Sequence, residues 1–463
     1  MKQRISAIVL LLALAYAATA TAAEPTTETL APGLEHLVLS RGEVATSKSY
    51  RILLGVFDRQ SDADQMLERL REKGFTAFPS TGGTDYQVVT PPLPHRAEAE
   101  NLRKSLIDRG FSSPLEIQEV QQDLTHPTGP WKIHVLEADP KRVAVRVAHA
   151  YDAAIGLETT AALSERRGAL AAINGGYFRM EGPLAGDSRG VLQIKGRLLS
   201  EPDRGRAAVG FYDQDGLVRS IFGRLGFHGE VVLAGRERIP LDGINRHRGP
   251  SEIILYTPEF HRTTLTSSEG AEIVIENGHI VEVSNETGNS VIPSNGMVLS
   301  VGNERAPEVL PRMLHGDSVI VKTRLLPLLP DPEYEWIRTE YIVGGGPLLL
   351  WQGQRLEKPE EESISRVFFL ARHPRTAVGV RADGTLLFVT VDGRRPKESV
   401  GMSLPELTDL MLELGCVSAI NLDGGGSTTM VVDGNVVNRP SGGSARRNSD
   451  AILLFSRPKK GVR

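Results

Sequence analysis

The sequence of 463 residues contains one cysteine, Cys416, so no disulfide can form within the chain. Cys416 lies in the apolar stretch 414–420 with no histidine close by, which is typical of a small buried side chain and not of a catalytic thiol. The sequence also has no HxH or HExxH motif and no clustered pair of aspartates. Because metal-dependent hydrolases gather several such ligands around an ion, the sequence requires no cofactor, although a divalent cation at Asp423 stays open.

The chain also has little net charge and few aromatic residues. The formal net charge is −4 and aromatic residues make up 5% of the chain. Without a bulk basic field, neither nucleic acid nor an anionic membrane is an expected partner. Glycine is abundant instead, with 47 residues, and this balance favours many strands and turns over long helices. The length is sufficient for two or three domains.

Long apolar runs are missing, with one exception at the start of the chain. Lys2 and Arg4 precede the apolar residues 8–18, and small residues follow at 20–23. This order is typical of a signal peptide, and the apolar run is too short to span a membrane comfortably. We therefore predict a signal peptide at 1–23 and an exported bacterial protein of the periplasm or cell envelope. No stable membrane span is expected after the signal is removed.

An internal repeat follows. Four residues recur at a constant interval, since Ala63, Leu70, Gly74 and Phe75 are matched by Ala99, Leu106, Gly110 and Phe111. Each copy has the pattern of a strand, an amphipathic helix that ends at glycine, and a second strand. Two such βαβ units predict a four-stranded antiparallel sheet backed by two helices over residues 48–120.

This repeat resembles the SPOR family of peptidoglycan-binding modules, through Tyr50, residues 55–57, Ala63 and residues 70–75. The resemblance implies a βαββαβ fold of the ferredoxin or RNA-recognition type. It also implies that residues 48–120 bind the glycan strands of peptidoglycan. The alternative is an accessory domain for packing or oligomerisation.

The rest of the chain is predicted to be rich in strands, which makes the whole an α+β protein. Residues 24–47 have no strong period and are interpreted as a linker. Residues 121–130 contain prolines and a glycine and are interpreted as a second linker. A mixed α+β catalytic domain is predicted for 131–456, followed by a basic tail at 457–463.

Three predicted strands of this domain end in glycine-rich turns, at 174–178, 344–347 and 421–427. Glycine allows a ligand to approach the backbone closely, so turns of this kind can present N–H groups to an anion or a sugar. In the third turn Asp423 precedes three glycines. The alternative is structural, because Asn-Gly and Asp-Gly sequences also form plain hairpin turns whose aspartate caps its own loop.

Together with Arg-Thr-Ala-Val-Gly at 375–379 and Asp392-Gly393, these turns resemble the phosphodiester glycosidase family over about residues 131–455. The resemblance implies hydrolysis of a sugar that is linked through its anomeric carbon to a phosphodiester. A carboxylate then stabilises the oxocarbenium-like transition state as nucleophile or as base for water. An arginine can stabilise the departing phosphate through its bidentate charged fork.

We therefore predict Asp423, Arg375 and Asn174 as catalytic residues, for the carboxylate, the phosphate contact and the positioning of substrate respectively. The predicted substrate-binding residues are Gly175, Gly176, Tyr177, Gly345, Gly346, His373, Asp392, Gly424, Gly425, Ser427 and Arg447. Simpler interpretations remain for three of them: an ordinary salt bridge for Arg375, a loop residue for His373 and a turn aspartate for Asp392.

The predicted function is an exported glycoside hydrolase that cleaves sugar-1-phosphodiesters in cell-wall or exopolysaccharide material and is targeted to peptidoglycan by its SPOR module. One alternative is a metal-dependent phosphodiesterase that breaks the P–O bond in the same polymers. The other is a non-catalytic envelope protein that binds peptidoglycan.

Overall fold

A computed structural model describes residues 24–42, 48–82, 85–112, 115–121, 129–233, 235, 237–330, 333–356 and 358–457. The predicted signal peptide lies outside these residues, as do most of the second predicted linker and of the basic tail. Strand residues make up 44% of the chain and helical residues 17%, so the prediction of an α+β fold is confirmed.

The described helices are short and lie between the strands. The α-helices are Gln60–Glu72, Arg96–Asp108, Thr160–Arg167, Ala306–Val309, Glu333–Ile337, Arg366–Leu370 and Leu404–Glu413. The 3-10 helices are Ala150–Asp152, Leu310–Arg312, Pro359–Glu362 and Gly425–Ser427.

The repeat forms the predicted βαββαβ module. Its antiparallel sheet has the strand order Phe78–Gly82, Asp85–Val89, Lys48–Phe57, Glu116–Gln121, and helices Gln60–Glu72 and Arg96–Asp108 pack on it. The two helices end in the same way, because Gly74 and Gly110 both have positive φ, a conformation that glycine adopts without strain. Phe75 and Phe111 then turn back and meet edge to face, with ring centroids 5.8 Å apart.

The largest sheet has eight strands, which come from the segments before and after the SPOR-like module. Its order is Thr26–Ala31, Leu34–Arg41, Trp131–Ala138, Leu386–Val391, Arg375–Arg381, Cys416–Asn421, Leu348–Trp351, Gln354–Arg355. Helix Leu404–Glu413 delivers the chain into strand Cys416–Asn421, and it begins with a capping box formed by Ser403 and Glu406.

The interpretation of residues 24–47 as a linker is wrong for the part that the structure describes. Strand Leu34–Arg41 pairs along its whole length with Trp131–Ala138, and Leu34 is fully buried in the main core. The SPOR-like module is therefore inserted between two neighbouring strands of the large sheet. The sequence pattern was weak because strand Thr26–Ala31 has no buried residue and strand Leu34–Arg41 has only three, so neither strand shows a regular apolar alternation.

Four further sheets complete the strand-rich part. One contains Asn435–Val436, Met430–Val432, Ala171–Asn174, Asp450–Ser456 and Val143–His149. Another contains Arg197–Ser200, Leu192–Ile194, Tyr341–Gly344, Ala207–Gln214, Leu217–Leu233 and Arg238–Leu241, with Val319–Pro327 on Leu217–Leu233. The last two contain Gly243–Ile244, Ile253–Tyr256, Gly296–Gly302, Gly270–Glu276 and His279–Asn285, and the short pair Glu158–Thr159 and Arg447–Asn448.

One hydrophobic core joins three of these sheets. It includes Leu136 and Ile420 of the eight-stranded sheet, Ile173 and Ile452 of the five-stranded sheet next to it, and Val343 of the seven-stranded sheet. Because the strands that carry the three glycine-rich turns all contribute to this core, the turns emerge from it close together. In the described part of the chain, no helix is both long and apolar enough to cross a membrane.

The amino-terminal hairpin, formed by strands Thr26–Ala31 and Leu34–Arg41, should contribute to the stability of the protein. Leu34→Ala should lower the free energy of unfolding by about 2–5 kcal/mol, the usual cost of a cavity in a close-packed core. Thr27→Ala, at an exposed position of the neighbouring strand, should change it by less than about 0.5 kcal/mol. Urea unfolding followed by tryptophan fluorescence measures both values. Equal, small effects would mean that the hairpin does not pack on the core.

Candidate active site

Two neighbouring strands bring the Asp423 turn onto the segment before Arg375. Strand Arg375–Arg381 pairs antiparallel with Cys416–Asn421. Past the strand ends, the Leu422 N–H donates to the Thr376 carbonyl at 2.8 Å and the Gly425 N–H donates to the Pro374 carbonyl at 2.8 Å. A side chain at Gly424 would place its Cβ 2.7 Å from the Pro374 oxygen, so this close contact requires glycine.

The side-chain amide of Asn174 ties the first turn to the third. Its Nδ2 donates to the backbone carbonyl of Asp423 at 2.8 Å. Its Oδ1 accepts from the Thr376 hydroxyl at 2.8 Å and from the Thr429 N–H at 3.1 Å. Asn174 is 1% exposed. The amide is therefore engaged with protein groups and positions the Asp423 turn, whereas a direct contact with substrate was predicted.

Asp423 is half-buried at the centre of the site. Its Oδ1 accepts from the Gly424 N–H at 2.9 Å, and the buried Ser427 hydroxyl also hydrogen-bonds to the carboxylate. Burial raises the pKa of Asp423 to about 6, although both hydrogen bonds and the charge of Arg446 oppose the increase. The carboxylate is therefore mostly ionised at neutral pH but close to its titration.

A second buried carboxylate, Asp450, supports the first turn and was missed in the sequence. Its Oδ1 accepts from the Gly176 N–H at 3.0 Å. A Cβ at Gly175 would overlap this same oxygen, and a Cβ at Gly176 would lie 2.7 Å from the Gly344 carbonyl. The glycines at 175 and 176 thus allow the turn to pack against Asp450 and the 344–347 turn. The signal in the sequence was only the polar Asn-Ser-Asp at the start of the last strand.

The second turn joins the site through Tyr177 and Asn421. The Tyr177 hydroxyl donates to the Gly346 carbonyl at 3.0 Å, and Asn421 Nδ2 donates to the same carbonyl at 2.7 Å. A side chain at Gly345 would collide with the Asn421 carbonyl. Burial and the neighbouring charge of Asp423 raise the pKa of Tyr177, so its hydroxyl stays protonated.

Arg375 lies underneath the site, where it is buried and has no carboxylate partner among the described residues. Its guanidinium donates to the carbonyls of Met402 at 2.8 Å, Ala371 at 2.7 Å and Phe368 at 3.2 Å, and it stacks on the Phe368 ring at 4.8 Å. The side chain is 1% exposed, and burial lowers its pKa to about 10. Arg375 therefore holds the backbone of its own loop in place. This role is structural, whereas the sequence motif suggested that its charge binds phosphate.

Two other arginines, Arg394 and Arg446, lie at the exposed rim above the glycine loop. Arg394 Nη2 is 3.4 Å from His373 Nδ1, and Arg446 Nη1 is 3.5 Å from Ser427 Oγ. A Cβ at Gly425 would be 3.3 Å from Arg394 Nη2, and one at Gly426 would collide with Arg446. Within the described residues, neither arginine forms an ion pair with a carboxylate.

These two arginines were missed although each lies within two residues of a predicted site residue. Arg394 follows Asp392-Gly393, and Arg446 precedes Arg447. Arg447 itself is exposed and lies in the short strand that pairs with Thr159. Asp392 is buried and accepts from Asn438 Nδ2 at 3.1 Å and from the Arg439 N–H at 3.0 Å, as expected of an aspartate that fixes a loop.

His373 contributes an uncharged ring to the site. Its ring stacks on Phe368, and burial together with the charges of Arg375 and Arg394 lowers its pKa to about 3. A protonated His373 is therefore rare at neutral pH, which makes it a poor general acid.

Residues 269–455 match the phosphodiester glycosidase family, and residues 46–118 match the SPOR domain. The predicted resemblance to both families is confirmed. The glycosidase match begins after the first turn, so Asn174 belongs to the site by contact although it precedes the matched segment. We call the described residues 24–42 and 129–457 the glycosidase domain, after the family that residues 269–455 match.

Individual relatives cover parts of the chain. The SPbeta prophage-derived uncharacterized protein YomE of Bacillus subtilis (strain 168) is 42% identical over 83 residues, which are 18% of this chain and 13% of that protein. The N-acetylglucosamine-1-phosphodiester alpha-N-acetylglucosaminidase of Bos taurus is 38% identical over 103 residues, 22% of this chain and 19% of the enzyme. The chain therefore spans less than a fifth of the length of either relative.

A solved structure matches the whole architecture. A candidate exported protein of Burkholderia pseudomallei superposes with a TM-score of 0.72 and 26% identity, over 98% of this chain and 100% of that one. The insertion of the SPOR-like module into the glycosidase domain is thus part of a fold that another protein shares.

Among the residues that the structure describes, the glycosidase domain contains no group of three or more histidine, cysteine, aspartate or glutamate side chains arranged to hold a metal ion.

The electrostatics of the candidate site predict a specific pKa change. In a ¹³C NMR titration of labelled aspartate, the Asp423 carboxyl should titrate near pH 6, with its resonance assigned from Asp423→Asn. Arg446→Gln should raise this pKa, because a positive charge that favours the ionised carboxylate is lost. Arg447→Gln, one residue along the chain, should leave it unchanged. A pKa that falls or stays constant in Arg446→Gln would show that Arg446 does not face the carboxylate.

Proposed function

We propose that the glycosidase domain hydrolyses sugar-1-phosphodiesters by breaking the bond between the anomeric carbon and the phosphate oxygen. The observation that supports this most strongly is the combination at one rim of the half-buried Asp423 carboxylate with Arg394 and Arg446. Two guanidinium groups that have no carboxylate partner among the described residues suit an anionic ligand, and a single carboxylate beside them suits a cationic transition state.

In this proposal, charge at the two ends of the breaking bond is stabilised separately. As the C–O bond breaks, its electron pair leaves with the phosphate, and Arg394 and Arg446 stabilise the negative charge on it. The ionised Asp423 stabilises the positive charge on the sugar, either as nucleophile or as base for water. Water supplies the hydroxyl group of the freed sugar, and its second proton passes to the carboxylate and then to solvent.

Phosphate is already a good leaving group, so the reaction needs no strong general acid. The low pKa of His373 therefore does not count against the proposal, since a neutral imidazole next to Arg394 can still accept or donate a hydrogen bond to the phosphate. Ser427, through its hydroxyl on Asp423, and Asn174, through its contacts with the turn, act as positioning residues.

We further propose that the protein is exported and works on envelope material. The predicted signal peptide at 1–23 and the SPOR match at 46–118 support this location, because SPOR modules are associated with the bacterial cell envelope. On this view, the module binds glycan strands of peptidoglycan and keeps the enzyme near cell-wall or exopolysaccharide phosphodiesters.

The test is a panel of sugar-1-phosphodiesters, beginning with the methyl phosphodiester of N-acetylglucosamine, assayed with the full chain. Asp423→Asn should lower kcat by about 10³-fold or more, since the carboxylate acts only in the transition state. Arg394→Gln and Arg446→Gln should each lower kcat/KM by about 10²–10³-fold, as expected for lost charge stabilisation.

Arg219→Gln, at an exposed position of strand Leu217–Leu233, is the matched control and should behave like the wild type. Addition of a chelator tests whether a divalent cation takes part. Wild-type turnover in Asp423→Asn, or losses in Arg219→Gln as large as in Arg446→Gln, would contradict the proposal.

A further inference from the structure

The SPOR-like module and the glycosidase domain enclose a cleft of about 690 Å³. Helix Gln60–Glu72 and the start of strand Phe78–Gly82 form one side, and residues 359–370 of the glycosidase domain form the other. Ligand sites of proteins typically have volumes of this size and often lie where two domains meet.

The lining of this junction cleft combines an exposed aromatic ring with polar groups. Phe78 is 41% exposed although its neighbours pack at the domain junction, and Phe75 is half-buried next to it. Arg366 is exposed and forms no ion pair within the described chain. A flat ring beside charged hydrogen-bonding groups suits a sugar chain, whose C–H face packs on aromatics and whose hydroxyls bind charged side chains.

The charges of the junction cleft are close to balanced, in contrast to the rim of the active site. Its walls carry three carboxylates, those of Asp64, Glu68 and Glu360, and two guanidinium groups, those of Arg71 and Arg366. A polyanion gains no net attraction there. The occupant that fits best is therefore an uncharged glycan.

Helix Arg366–Leu370 is a common wall of the cleft and the active site. Arg366 and Leu370 line the cleft. Phe368, on the same helix, stacks on the Arg375 guanidinium and on the His373 ring. A chain lying in the cleft is thus one helix away from the loop that supports the catalytic rim.

We propose that the junction cleft is a second saccharide site, which binds the uncharged glycan part of the polymer while its phosphodiester lies at Arg394 and Arg446. The placement of the phosphodiester at Arg394 and Arg446 rests on the proposed function, whereas the binding of glycan in the cleft does not.

The experiment is calorimetric titration of the full chain with the uncharged β-1,4-linked tetramer of N-acetylglucosamine. Phe78→Ala and Arg366→Ala should each weaken binding about three- to tenfold, the effect expected for one stacked ring or one hydrogen-bonded contact. Tyr334→Ala removes an aromatic ring outside the cleft that is even more exposed than Phe78, and this variant should bind like the wild type. Polyglycerol phosphate, a polyanion, should not compete for this site.

Turnover of the small methyl phosphodiester separates the two proposals. Phe78→Ala and Arg366→Ala should retain wild-type turnover of this substrate, because it does not reach the cleft. Tetramer binding that is indifferent to both substitutions, or that polyglycerol phosphate abolishes, would overturn the cleft while leaving the activity intact. Absence of any turnover in the wild type, with Phe78-dependent binding of the tetramer, would overturn the proposed function and leave the cleft.

Discussion

The candidate site depends on one buried amide. Asn174 hydrogen-bonds to the turn that carries Asp423, to Thr376 in the neighbouring strand and to Thr429 beyond the turn, so three distant segments share one side chain. In a buried setting each of these groups would cost free energy if it lost its partner. The amide therefore fixes the separation of the loops, and the position of the Asp423 carboxylate follows from it.

Glycines allow this assembly to close. At 175, 176, 345 and 424 a side chain would meet Asp450 or a backbone carbonyl of another segment, so the three turns can pack together only because these residues have no Cβ. As a consequence, the backbone of the site tolerates little change. The benefit is that a carboxylate is held half-buried, with a pKa raised to about 6, in the turn that lies next to two exposed guanidinium groups.

Local patterns in the sequence were sufficient for the repeat module and for the glycine-rich turns, because both depend on residues close together in the chain. They were insufficient where the role of a residue depends on its three-dimensional neighbours. Arg375 stands in the most recognisable motif and yet lies under the site, bound to backbone carbonyls, while Arg394 and Arg446 reach the rim from unremarkable loops. The amino-terminal hairpin was missed for a related reason, since its partner strand begins after the whole inserted module.

In the proposed mechanism the carboxylate acts on the sugar and the arginines act on the phosphate, so that the C–O bond breaks. Hydrolysis of a sugar-1-phosphodiester in water enriched in oxygen-18, followed by mass spectrometry of both products, tests it directly. Cleavage of the C–O bond places the heavy oxygen in the freed sugar. Heavy oxygen in the phosphate product would mean that the P–O bond breaks, and it would contradict the proposed mechanism.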